Sequence, residues 1–278
     1  MGLRIGWFST GRDTAAGQLL QVVVKAVESG ELPLEIAFVF SNREEGEGVE
    51  SDSFLRLVKT YGLRPVTFSS RCFEPGLRRR GLGGDDEALA LWRDRYHTEV
   101  LKRIDSFEVA FSFLAGYMLV VSAEMCLRHT MLNLHPALPG GPKGTWQEVI
   151  WQLIGQKAGE AGAMIHLVTP ELDEGPPVAY CRFPLTSPEF DALWAELAWR
   201  RQHESLAQII RSDGETNPLF QMIRRHEFAR EVPLILATLQ KLAHGAVKVA
   251  NGRVFLSGTP SPGVDVSAEV EGLLTSVY

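Results

Sequence analysis

Short apolar runs alternate with stretches of helical spacing along the first half of the chain. A strand, a helix and a second strand in succession are the pattern of a βαβ unit, in which the helix carries the chain back so that both strands run parallel. The sequence therefore predicts an α/β fold with a mostly parallel twisted sheet flanked by helices. The predicted strands are residues 3–9, 35–40, 65–69 and 109–115, and the predicted helices between them are residues 16–27, 54–61 and 88–104.

The segment from residue 71 to residue 87 interrupts this alternation. Three arginines at positions 78–80 are followed by glycines at positions 81, 83 and 84. Glycine favours turns over regular structure, so the segment is predicted to be a surface loop.

The last third of the chain has a different pattern. Residues 178–185 are predicted to form a strand, and residues 190–210 have the apolar spacing of an amphipathic helix. That helix is either an added layer over the core or a dimer contact or lid. Residues 218–225 and 234–242 predict further helices, and residues 247–249 and 254–256 predict a hairpin that turns at Asn251 and Gly252. The simplest organisation is one domain, residues 1–278, with a helical insertion at 187–216 and a helix and hairpin segment at 217–278.

Length and charge narrow the class of protein. A chain of 278 residues with 45% hydrophobic residues can bury a sizeable core, and a net charge of -6 argues against general nucleic-acid binding. No apolar run approaches the length of a membrane span, and no signal-peptide pattern follows Met1. The three cysteines lack the spacing of a metal site and suit a reducing compartment, so we expect a cytoplasmic protein without a structural metal.

Two segments carry the chemistry. Asn133 and His135 follow an apolar run, and Asp173 lies forty residues after Asn133, behind the second apolar run at residues 163–168. An amide that can hold an oxyanion, an imidazole that moves protons near neutral pH and a carboxylate that orients the imidazole are the groups of an acyl-transfer site. No Gly-x-Ser-x-Gly elbow or cysteine motif accompanies them, so direct transfer is favoured over an acyl-enzyme.

Each of these residues also has a structural interpretation. Asn133 could form a turn, His135 could be a structural histidine, and Asp173 could bind backbone N–H groups in its loop. His166 lies inside an apolar run and is predicted to be a core histidine, with a supporting role at the site left open.

Five segments in order resemble the folate-dependent formyltransferases: residues 5–11, 39–42, 114–118, 133–138 and 163–175. The combination of Asn-Leu-His-Pro at 133–136 with Glu-Leu-Asp at 171–173 is the most specific part. The resemblance implies a Rossmann-like formyltransferase fold, 10-formyltetrahydrofolate as the formyl donor, and catalytic roles for Asn133, His135 and Asp173. It also implies a primary amine as acceptor, first of all glycinamide ribonucleotide.

The resemblance also assigns binding residues. The family's two folate loops correspond here to Leu114, Met118, Leu119, Val120 and Val121, and to Thr169, Leu172, Glu174 and Gly175. The acceptor set corresponds to Thr10, Gly11, Arg12, Asp13 and Glu227. This acceptor set departs from the family, because Thr10-Gly11-Arg12-Asp13 replaces a phosphate-binding Gly-Ser-Asn turn. Asp13 would oppose a phosphate, or it could cap the following helix. The missing Gly-x-Gly-x-x-Gly spacing makes a dinucleotide site improbable.

Several functions stay open at this point. The acceptor could be an amino sugar nucleotide or another phosphorylated amine. Water could replace the amine, which would make the protein a formyltetrahydrofolate hydrolase, and a non-catalytic folate-binding protein is a further alternative. The expected partners are small molecules only, with no nucleic acid and no membrane, and a homodimer stays open.

Overall fold

The computed structural model describes residues 2–277, which divide into two compact units. The first unit holds the residues up to Asn133 together with Leu167–Gly175 and Leu239–Lys248. Its elements begin with β1 (Leu3–Phe8), α1 (Thr14–Glu28), β2 (Leu34–Ser41), α2 (Val49–Thr60), β3 (Pro65–Thr67), α3 (Pro75–Leu82), α4 (Asp86–Ile104), β4 (Phe111–Leu114) and α5 (Ala123–Arg128). The last element is β5 (Met131–His135), of which the residues up to Asn133 belong to the first unit.

The five strands of the first unit lie side by side in the order β5, β4, β1, β2 and β3. Every neighbouring pair is parallel. Ile5, Trp7 and Phe8 on the central strand β1 are fully buried, as expected for a strand covered on both faces. A side chain on Gly6 would place its Cβ 2.2 Å from Ser112 Oγ, so only glycine allows β1 and β4 to approach this closely. The predicted mostly parallel α/β fold is confirmed.

The segment predicted as a loop at residues 71–87 is largely helical, so that prediction was wrong. Helix α3 covers Pro75–Leu82, and α4 already begins at Asp86. Pro75 suits the first turn of a helix, where no N–H bond is lost. The Cβ of a side chain at position 81 would lie 2.7 Å from Leu89, so Gly81 lets α3 pack directly on α4. The glycine that indicated a loop instead serves helix packing.

The second unit contains the remaining elements. They are α6 (Trp146–Gln156), β6 (Glu160–Leu167), β7 (Pro177–Pro184), α7 (Pro188–Arg200), α8 (Leu206–Asp213), α9 (Pro218–Ala243), β8 (Val247–Ala250), β9 (Arg253–Leu256), β10 (Thr259–Pro260), β11 (Val264–Asp265) and α10 (Ser267–Val277), with the end of α9 and the start of β8 assigned to the first unit. Strand β7 is antiparallel to β6 and parallel to β11. Asn251 and Gly252 both have positive φ between β8 and β9, which confirms the predicted hairpin turn.

Two helix predictions in this unit were wrong. Residues 190–210 form α7 and α8, because Ser205 starts a new helix through a capping box with Gln208. Residues 218–243 form the single helix α9, in which Pro233 lies inside the helix instead of ending it. A proline inside a helix costs about 3 kcal/mol, and the burial of Leu234 and Ile235 just after it offsets this cost.

Among the described residues, no helix is both long enough and apolar enough to cross a lipid bilayer.

Candidate active site

Strand β5 carries two of the three predicted catalytic residues. Asn133 pairs with Leu114 at the end of the neighbouring strand β4 and is partly exposed. His135 is the last residue of β5 and is 3% exposed. Residues two apart on a strand project to the same face, so β5 presents the amide and the imidazole on one side. Met131 and Leu132, both fully buried, hold the preceding part of the strand in the core.

The imidazole of His135 has defined neighbours within the second unit. Its Nε2 lies 2.9 Å from the carbonyl oxygen of Pro142. A carbonyl can only accept, so this contact places a proton on Nε2 and fixes the ring's orientation. The ring of His166 stands at 86° to that of His135, with 6.1 Å between centroids. His166 is 2% exposed, which confirms its predicted burial in the core.

The predicted second folate loop, residues 169–175, belongs to the first unit. Just before it, Val168 N–H donates to Met131 O on β5 at 2.8 Å. Within it, the hydroxyl of Thr169 donates to Glu171 O at 3.1 Å. Asp173 adopts the left-handed conformation, with φ of 56°. Asp is one of the few non-glycine residues that visit this region, and such outliers cluster at functional sites.

The loop after β1 is bonded to the predicted first folate loop. Thr10 N–H donates to Gly116 O at 3.0 Å, and Met118 N–H donates to the Thr10 hydroxyl at 2.9 Å. Thr10 is 1% exposed, so it joins the two loops. Gly11 has φ of 61°, and a Cβ there would lie 2.8 Å from Phe54 Cβ. The turn therefore requires glycine at position 11.

Arg12 and Asp13 complete this loop. The carboxylate of Asp13 accepts from Ala16 N–H at 3.2 Å and caps helix α1, which confirms the capping interpretation. Its other oxygen lies 3.8 Å from Arg12 Nε, in a pair whose side chains are 62% and 54% exposed. Arg12 is thus a solvent-facing cation beside the start of α1.

The predicted first folate loop combines buried and exposed apolar side chains. Leu114 and Val121 are buried at its two ends. Met118 and Val120 are 49% and 38% exposed, and Leu172 in the second loop is 55% exposed. Both predicted folate loops therefore expose large apolar side chains.

His97 on α4 is a residue that the sequence analysis missed. It is fully buried. Its Nδ1 lies 2.9 Å from Arg93 O and 3.2 Å from Ser122 N, and its Nε2 lies 3.4 Å from the Tyr117 hydroxyl. Burial lowers the pKa of His97 to about 4. The neutral ring therefore holds the end of the loop at residues 117–122. The sequence did contain a signal for this residue, because a polar histidine stands on the buried face of the helix predicted at residues 88–104.

Glu227 on α9 is fully buried, and neither of its carboxylate oxygens has a hydrogen-bond partner in the described chain. Burial raises the pKa of this carboxyl well above its ordinary value, against the opposing effect of Arg224. Because it is buried and no hydrogen-bond donor among the described residues stabilises its charge, the Glu227 carboxyl is kept in its protonated, neutral form.

The parallel sheet carries polar side chains just after β1 and in the last residues of β5, and open α/β sheets bind their ligands outside the carboxyl ends of the strands. The sequence profile described as Formyl transferase matches residues 13–192, well over half of the chain. The chain therefore belongs to the formyl transferase family.

Three known proteins illustrate what this chain resembles in sequence and in structure. The phosphoribosylglycinamide formyltransferase of Schizosaccharomyces pombe is 27% identical over 206 residues, which cover 71% of this chain and 92% of that relative. The structure of the phosphoribosylglycinamide formyltransferase of Coxiella burnetii has a TM-score of 0.63 at 20% identity, and the match covers 95% of this chain and 99% of that one. The structure of the formyltetrahydrofolate deformylase of Burkholderia mallei has a TM-score of 0.58 at 17% identity. The match covers 92% of this chain and 70% of that one. The two structural similarities confirm the fold.

Proposed function

We propose that this enzyme transfers the formyl group of 10-formyltetrahydrofolate to the primary amine of glycinamide ribonucleotide. The observation that carries the proposal is β5, which presents Asn133 and His135 on one face in a chain of the formyl transferase family. The name of the S. pombe relative, matched over 92% of its length, supports the acceptor. The alternatives of an amino sugar nucleotide as acceptor and of hydrolysis are outcomes of the test below.

The proposed catalytic roles follow from the chemistry of the three side chains. The amide of Asn133 donates to the formyl oxygen as it becomes negative, and protonated His135 adds a second donor. Pro142 O, as the acceptor at Nε2, keeps the His135 ring in one orientation. Asp173 assists the transfer of the proton that the attacking amine loses to the folate nitrogen at position 10, whose bond to the formyl carbon breaks. The bound folate supplies the formyl carbon, and no step requires a metal.

The donor is proposed to bind along the two predicted folate loops. Met118, Val120 and Leu172 offer exposed apolar surface to a flat heterocycle. Backbone groups of the same loops, including Glu174 and Gly175, would read the edges of the ring. Thr10 and His97 act indirectly, because each holds part of the first folate loop in place.

The acceptor phosphate is proposed to bind near Gly11 and Arg12. Arg12 is exposed, and its guanidinium is suited to a phosphate. Asp13 caps α1 through one carboxylate oxygen, and its other oxygen lies 3.8 Å from Arg12 Nε, so a bound phosphate would compete with Asp13 for the Arg12 guanidinium. Glu227 stays a proposed acceptor contact, and its full burial requires α9 to expose it on binding.

The test is an acceptor panel. The enzyme is incubated with 10-formyltetrahydrofolate and, separately, with glycinamide ribonucleotide, an amino sugar nucleotide, a simple unphosphorylated primary amine or no amine. We expect tetrahydrofolate to form quickly only with glycinamide ribonucleotide. Faster turnover with the amino sugar nucleotide would replace the proposed acceptor, and equal turnover without any amine would establish hydrolysis.

We also propose a cytoplasmic location, because Cys72, Cys126 and Cys181 are all free thiols. The oligomeric state is accessible by light scattering after size-exclusion chromatography, which separates a monomer of 30.8 kDa from a homodimer of twice that mass.

A further inference from the structure

The second unit contains a cavity of about 370 Å³ beside helix α7. It lies where α7 packs against the end of α6 and the end of β7. Its apolar walls are formed by Ile154, Ala158, Leu185, Trp194, Leu197 and Ala198. Ligand pockets in proteins typically enclose about 300 to 1,000 Å³, so this cavity is large enough for a small molecule.

One wall of the cavity is fixed by a specific hydrogen bond. The indole Nε1 of Trp194 donates to Leu185 O at 2.9 Å. This bond satisfies the only polar group of the side chain and holds the ring in place. The anchored indole gives the cavity a rigid, flat, apolar surface of the kind on which an aromatic ring stacks.

The cavity also has a charged rim. Lys157, Arg201 and Asp191 are exposed and line it, so the rim carries a net charge of +1. Across residues 2–277, neither Lys157 nor Arg201 forms an ion pair. Lys157 ends α6 in a left-handed conformation with φ of 52°, where its N–H donates to Ile154 O. Its backbone is therefore held at the rim.

We propose that this cavity binds a small aromatic carboxylate. The ring would lie against Trp194 and the aliphatic walls, and the carboxylate would be paired by the two rim cations. Trp194, Leu197 and Arg201 lie beyond the family match, which ends at residue 192. None of the residues that line it belongs to the catalytic or substrate sets, so the inference does not rest on the proposed function.

The probe is 1-naphthoate, and its matched neutral counterpart is 1-naphthalenemethanol. Isothermal titration calorimetry with the intact protein is expected to show one saturable site for 1-naphthoate. Replacing both rim cations, Lys157→Gln with Arg201→Gln, is expected to weaken 1-naphthoate about tenfold and the neutral compound less than about twofold. The control Arg253→Gln removes an exposed cation away from the cavity and should change neither.

A second variant tests the walls. Ala198 lies on the exposed side of α7, so Ala198→Phe can fill the cavity without disturbing the buried core; circular dichroism checks that the fold is kept. We expect it to abolish binding of both compounds. The inference is overturned if the parent protein shows no saturable site for 1-naphthoate. It is also overturned if the parent protein binds both compounds equally, or if 1-naphthoate binds equally well to the Ala198→Phe or the double variant.

Discussion

The loop after β1 and the helix α9 each hold one carboxylate of the predicted acceptor set, and they use it in opposite ways. Asp13 is about half exposed and accepts a backbone N–H at the start of α1. Glu227 is fully buried, and its oxygens have no hydrogen-bond partner in the described chain. The first carboxylate stabilises the fold, whereas burial of the second opposes it. The resemblance assigns Asp13 and Glu227 to the same acceptor set, but the two carboxylates have opposite effects on the stability of the fold.

The largest expected effect lies outside both regions, on β5 and the loop of Asp173. Asn133→Ala, His135→Ala and Asp173→Ala should each lower kcat about a hundredfold or more, because each removes a group from the reacting centre. Single-turnover rates with 10-formyltetrahydrofolate and glycinamide ribonucleotide measure the effect. The matched control is His203→Ala, which removes an exposed histidine of the second unit. Near-normal rates in all three variants would show that the chemistry lies elsewhere.

Acid pH should reveal two histidines of the first unit, the buried His97 and the partly exposed His129. Burial lowers the pKa of both His97 and His129 to about 4 from an ordinary value of 6.5. Below pH 6.5 the unfolded chain gains protons that the folded chain excludes, so the free energy of unfolding should fall as the pH drops toward 4. The slope is up to about 1.4 kcal/mol per pH unit for each histidine. Urea unfolding across this range measures it, and a flat profile would contradict the burial argument.

Glu227 should produce a slope of the opposite sign. Its pKa is raised in the fold, so above the ordinary value of 4.5 the unfolded chain loses a proton that the folded chain keeps. The contribution of Glu227 to stability should therefore fall as the pH rises from 4.5 toward the folded pKa, by up to about 1.4 kcal/mol per unit, against the opposite contribution of the two histidines. Glu227→Gln should remove this decline, and the exposed Glu196→Gln should not. Parallel unfolding profiles for the Glu227→Gln variant and the parent protein would mean that the carboxyl ionises in the fold.

Asp13→Ala tests the other side of the comparison. Loss of the cap should destabilise the protein by about 1 kcal/mol, measured by urea unfolding at neutral pH. Asp13→Asn keeps a capping oxygen and should retain most of the stability. If both variants were as stable as the parent protein, the cap would contribute nothing measurable.

The smallest expected effect is at Arg12. Because its side chain is exposed, Arg12→Ala should raise KM for the phosphorylated acceptor only about three- to tenfold, with little change in the affinity for folate. Inorganic phosphate should compete with the acceptor and not with folate. If Arg12→Ala weakened the binding of both ligands equally, or of neither ligand, the loop after β1 would have another role.

Sequence reasoning succeeded where one local signal decided the structure. The apolar runs of β1 and β2 and the Asn251-Gly252 turn were predicted correctly, because periodicity and turn residues act locally. It failed where packing between elements decided. Gly81 was taken to break structure but allows α3 to contact α4. Residues 218–225 and 234–242 were predicted as separate helices, but α9 continues through Pro233, next to buried Leu234 and Ile235.

The candidate site shows the same division. The place of Asn133 and His135 at the end of one strand could be predicted from the apolar run at residues 131–134. The bonds that position the site were not, because they join residues far apart in the chain. Thr10 meets Met118 across 108 positions, and His97 meets Ser122 across 25. Such pairs leave no pattern in a single sequence.

The most direct test of the central claim is a product balance. The enzyme, in excess over 10-formyltetrahydrofolate, is mixed with glycinamide ribonucleotide, and formylated acceptor, tetrahydrofolate and free formate are quantified together. Direct transfer predicts one formylated acceptor for each tetrahydrofolate, without free formate, and formation of both products about a hundredfold or more slowly in the Asn133→Ala variant. Tetrahydrofolate that appears with an equal amount of formate, whether or not the acceptor is present, would contradict the proposed transfer.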